Sequence, residues 1–115
     1  MYRFSYSEIL EDAPQLARER ERMAFDRALH LLRTVEARGE RGPERTAAIG
    51  FVQDLWNVLL TDLLNPENAL PDELKADLVS IGTWAMREAG EALRAPERSL
   101  KALIEVNTSI RDGLQ

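Results

Sequence analysis

The stretch "NALPDELKADLVSIGTWAMREA", Asn68 to Ala89, decides the fold. Leu74, Leu78, Ile81, Ala85 and Ala89 recur at the three- and four-residue intervals of one helix face. Pro71, Asp72 and Glu73 suit a first helical turn, where proline lacks only an orphan N–H and acidic groups complement the dipole. Gly82 interrupts the pattern. A glycine inside a helix costs about 1 kcal/mol relative to alanine. Together with Ser80 it reads as a notch that lets a bulky neighbour approach closely. Phe51, Trp56 or Leu59 of the preceding helix are the natural fillers.

Working outward, the same helical period covers the rest of the chain, and proline and glycine punctuate it. "RGERGPER" (Arg38–Arg45) places Gly39 as a left-handed stop and Pro43 as an opening residue. "NPENALP" (Asn65–Pro71) and "RAPERS" (Arg94–Ser99) make two further breaks. The expected helices are about 14–38, 43–65, 70–94 and 96–112, with 1–13 forming a loose arm or a short extra helix. Gly113 stops the last helix, and Leu114 packs back in a Schellman-like contact.

Helix one carries a seam of Ala17, Ala24, Ala28, Leu31 and Val35, widened by Phe25, Leu29 and Leu32 in its second half. It therefore docks by that half and projects by the other. Helix two is apolar over most of its circumference, around Ala48, Val52, Leu55, Leu59 and Leu63, which makes it central. Asn107 is a polar residue on the apolar seam of helix four and needs partners, because an unpaired buried amide costs on the order of 1–3 kcal/mol. Backbone groups near helix three, or a bound peptide, would supply them. Short loops favour antiparallel neighbours. The fold class is all-α: a small antiparallel four-helix bundle, residues 1–115 forming one domain.

Composition narrows the function. The net charge of −5 opposes direct nucleic-acid binding, which depends on Lys and Arg neutralising phosphates. The alternating "RERER" at Arg18–Arg22 reads as a solvated helix face. There are no cysteines and one histidine, His30, so thiolate or paired-histidine metal sites have no ligands. No phosphate loop or metalloprotease motif is present. The expectation is a non-enzyme without catalytic residues, cofactor or metal. No apolar run is long enough to cross a membrane, and the start lacks the pattern of a signal peptide. Trp56 and Trp84 lie beside their seams. They either pack within the fold or line a groove for a partner helix.

"LW" at Leu55–Trp56, "N-x-LP-x-x-L" at Asn68–Leu74, "SIGTW" at Ser80–Trp84, "IEVN" at Ile104–Asn107 and "GL" at Gly113–Leu114 occur in order. Together they resemble the FlaF family of flagellar biosynthesis regulators, and "ERERMAFDRALHLL" (Glu19–Leu32) is similar to the family's first helix. The resemblance implies a cytoplasmic factor that binds flagellin before export and promotes its synthesis and secretion. The alternative it implies is a post-transcriptional regulator acting through an FlbT-like protein or the flagellin leader messenger RNA. An apolar helix of flagellin would dock against Phe25, Leu29, Leu32, Trp56 or Trp84. Gly82, Asn107, Pro71 and Leu55 are the packing residues. Oligomeric state is left open.

Overall fold

The computed structural model describes the backbone of residues 6–113 and the side chains of residues 18–113. Among the described residues four α-helices follow one another: α1 Tyr6–Arg38, α2 Pro43–Leu63, α3 Asp72–Arg94 and α4 Lys101–Asp112. They form an all-α four-helix bundle. α2 is packed between α1 and α3, α1 also pairs with α4, and α3 meets α4 only lightly. At about 1.5 Å per residue, the 33 residues of α1 span about 50 Å and account for the 52 Å long dimension of the molecule. α4, with 12 residues, covers only part of it.

The α1–α2 break is as the glycine suggests. Gly39 has φ 63°, Gly39 N–H donates to the Glu36 carbonyl and Glu40 N–H to that of Val35, a complete Schellman motif. The α2–α3 break is built from two Asx turns. Asn65 Oδ1 accepts from Glu67 N–H at 2.9 Å and Asn68 Oδ1 from Leu70 N–H at 3.0 Å. Accordingly α2 ends at Leu63 rather than Asn65. Pro71 precedes the first turn of α3 as its N-cap, with ψ 142°, and the helix starts at Asp72.

Three further boundaries differ from expectation. α1 is continuous from Tyr6 through Pro14, where an opening at 14 was expected. Proline has no N–H, so the helix crosses that point with one ladder bond fewer. α4 starts at Lys101, not Pro96, because its N-terminus is set by another helix. Glu36 of α1 accepts from the Ser99 hydroxyl at 2.6 Å and from Leu100 N–H at 3.1 Å, while Ser99 Oγ accepts from Lys101 N–H. A carboxylate there also complements the dipole of α4. At its other end Gly113 has φ −77°, a right-handed conformation, so no left-handed stop forms; the expected contact of Leu114 lies outside the described residues.

The core is Phe25, Ala28, Leu32 and Val35 of α1, Ile49, Val52 and Trp56 of α2, Ala85, Ala89 and Ala92 of α3, and Leu100 and Leu103 beside or on α4. α3 thus buries a stripe of Gly82 and alanines, which brings its backbone close to α2. Trp56, 1% exposed, stands where all four helices meet. A Cβ at Gly82 would lie 2.8 Å from Trp56 Cε3 and 2.8 Å from Leu60 Cδ2. Phe25 packs edge-on against the indole, with ring centroids 5.8 Å apart. Trp56 Nε1 donates to Asn107 Oδ1 at 2.8 Å, and Asn107 Nδ2 donates to the Leu103 carbonyl at 2.7 Å. Asn107 therefore finds the α2 indole and its own helix, not the backbone of α3. Replacing it with leucine strands the buried indole N–H. The expected cost is about 1–3 kcal/mol, read as a lowered urea midpoint, and Trp56→Phe in the same chain should recover part of it.

The α3–α4 connection is held from three sides. Glu36 grips Ser99 and Leu100. Arg98 Nε and Nη2 donate to the two carboxylate oxygens of Glu88 at 2.7 and 3.0 Å. Arg45 of α2, 4% exposed, donates to the carbonyls of Ala92 (2.6 Å), Ala95 (3.3 Å) and Arg98 (2.8 Å). The hydrogen bonds from Arg98 hold the Glu88 carboxyl below its ordinary range. A carboxylate with a depressed folded pKa contributes stability that is present above its unfolded pKa and is lost as pH falls through the folded value. Titrating the unfolding free energy from neutral to acid pH should therefore show a steeper fall for the wild type than for Glu88→Gln.

Candidate partner-binding groove

One end of the bundle is open. The seam of α3 continues past Gly82 toward its N-terminus as Leu78 and Leu74, and among the described residues none between Asp72 and Ile81 is fully buried. These leucines form one wall of a groove of about 430 Å³. Leu59 and Leu63 of α2 form its floor with the edges of Phe25 and Trp56, and Ile110 of α4 closes the far side. The lip is apolar and wet: Leu70 is 39% and Leu74 43% exposed. A contiguous apolar strip of this kind, rimmed by charge, is a candidate interaction surface.

The rim carries Arg18 and Glu21 of α1 and Asp62 of α2. Partial burial, and then the negative charge of Asp62, push the Glu21 carboxyl above its ordinary range. Asp62 Oδ2 accepts from Asn68 Nδ2 at 3.1 Å. Among the described residues no ion pair neutralises Glu21 or Asp62.

The sequence-derived partner residues are divided by this geometry. Phe25 and Trp56 reach the groove floor but are almost wholly enclosed. Leu29 and Leu32, at 2% and 0% exposed, are core residues and present nothing to a partner in this fold, because α2 and α4 cover the half of α1 that carries them. Trp84 is half-buried on α3, beside a separate shallow dent with Ser80, Ile81 and Val106. Leu55 is half-buried against the core. Leu70, Leu74 and Leu78 were not among the sequence-derived partner residues. The available signal was a leucine stripe at the start of α3 with no matching apolar face to cover it. Among the described residues no cluster of His, Cys, Asp and Glu is placed to hold a metal ion, and no helix is long and apolar enough to cross a membrane.

The family model described as "Flagellar protein FlaF" matches residues 2–114. The chain belongs to the FlaF family. No curated protein and no solved structure matches it significantly. Family membership makes this a flagellar protein.

Proposed function

We propose that this FlaF-family protein is a cytoplasmic, non-enzymatic chaperone that binds flagellin before export and so promotes flagellin synthesis and secretion. The observation that carries the reading is the uncovered leucine wall of α3, Leu74 and Leu78, facing the floor at Leu59 and Leu63. A helix laid into an apolar groove is a recurrent mode of peptide recognition. Unassembled flagellin offers terminal segments that become helical in the filament and aggregate when left exposed. Covering one of them is a binding task that needs no catalytic group, cofactor or metal.

The test is co-purification of the full chain with its flagellin, alongside Leu74→Asp. Leu74 is exposed, so the variant should keep its helical content and melting behaviour while losing flagellin. Failure of the wild-type protein to retain any flagellin would sink the reading. A shift of flagellin leader RNA by the purified protein alone would replace it with direct post-transcriptional regulation.

A further inference from the structure

The groove has a polarity that the apolar wall alone does not explain. Glu21 on α1 and Asp62 on α2 stand on its rim, near enough for the charge of one to act on the other. Both are acidic, and neither has a basic partner among the described residues. Arg18, one turn before Glu21, is on the same rim but leaves the three groups with a net negative charge. Two like charges at the mouth of an apolar groove cost the free protein something, and a cation placed between them would relieve that cost. The overall charge of −5 acts in the same direction by steering basic surfaces toward the protein.

We propose that the groove takes an amphipathic helix bearing a basic residue beside its apolar stripe, with that residue entering between Glu21 and Asp62 while the stripe lies on Leu70, Leu74 and Leu78. The inference rests on the flagellin-binding reading and adds the recognition rule: hydrophobicity alone is insufficient, and a Lys or Arg at the edge of the stripe selects the segment. A stripe with an acidic residue at that edge is rejected by the same pair.

The experiment measures binding of the full-length protein to synthetic peptides spanning the terminal helical segments of its flagellin, each made as the natural sequence and with its Lys and Arg replaced by Gln. The natural form of one segment should bind, its Gln form should bind roughly tenfold more weakly or worse, and rising salt should weaken only the natural form. Glu21→Gln, at a half-buried position, and Asp62→Asn, at an exposed one, both checked for unchanged melting, should reduce binding of the natural peptide and abolish discrimination between the two forms. Equal binding of both forms by the wild type, or unchanged discrimination in the carboxylate variants, overturns this inference and leaves flagellin binding standing. Absence of binding to every segment and to whole flagellin overturns both. A wild-type dimer that Asp62→Lys converts to monomer overturns the inference in favour of a second copy of this chain in the groove.

Discussion

Arg45→Met should destabilise the protein by about 3 kcal/mol, a large share of the 5–15 kcal/mol typical of a domain. The reason begins with Pro96. In α3 the carbonyl of Ala92 would ordinarily accept from the N–H four residues on, but that residue is proline and has none. The guanidinium of Arg45 takes the vacant place at 2.6 Å and reaches on to the Arg98 carbonyl at 2.8 Å. It also sets a positive charge at the negative end of the α3 dipole. Methionine fills similar space without any donor, so the Ala92 and Arg98 carbonyls lose their partner in a nearly dry environment. Arg45→Lys keeps the charge but not the fork, and should recover only part of the loss. Urea unfolding of the three proteins, with the slope m compared to check that the same transition is observed, measures the effect.

Enlarging Gly82 should have the second large effect. An added Cβ meets Leu60 Cδ2 and Trp56 Cε3, each at 2.8 Å. Leu60 has a flexible end and can move. The indole cannot easily do so, because Asn107 holds its N–H and Phe25 packs on its ring. Gly82→Ala therefore sets a gain in helix propensity of about 1 kcal/mol against an overpacking cost of about 1–3 kcal/mol, with a modest net loss. Gly82→Leu adds three more carbons to the same space and should cost more than about 3 kcal/mol. In a Trp56→Phe background the contacting edge of the indole is gone, so Gly82→Ala should become neutral or stabilising. That sign change, measured as a double-mutant cycle, assigns the close approach to the indole rather than to α3 in general.

These two residues show how far the sequence could be read. Gly82 is legible because a glycine in the middle of a helical period needs a reason, and a bulky neighbour is the usual one. Arg45 is not, because it sits among the alternating charges of "RGERGPER" and looks solvated. Its one trace is the proline 51 positions later that leaves Ala92 without a donor. The start of α4 is hidden from the local sequence for a related reason. Pro96 is a plausible helix opener locally, yet Glu36, whose bonds to Ser99 and Leu100 span more than 60 residues of chain, fixes the start further on. The breaks after α1 and α2 depend on nearby Gly, Asn and Pro and were read to within a few residues. The groove fell between these cases. Leu74 and Leu78 have the same spacing whether the stripe meets this chain or another, so periodicity identifies an apolar face without saying what covers it.

The pairing of α1 with α4 bears on the order of events during synthesis. Asp26 and Arg111, joined at 2.6 Å, are separated by 85 positions, whereas α2 and α3 are joined by a short connection and meet soon after each is made. Closing the longer loop carries the greater entropic cost and needs more of the polypeptide to exist. A nascent chain emerging from the ribosome therefore holds the leucine wall and the floor before it holds Ile110 or the Trp56–Asn107 bond. Until α4 docks, the groove lacks its far side and the indole its acceptor.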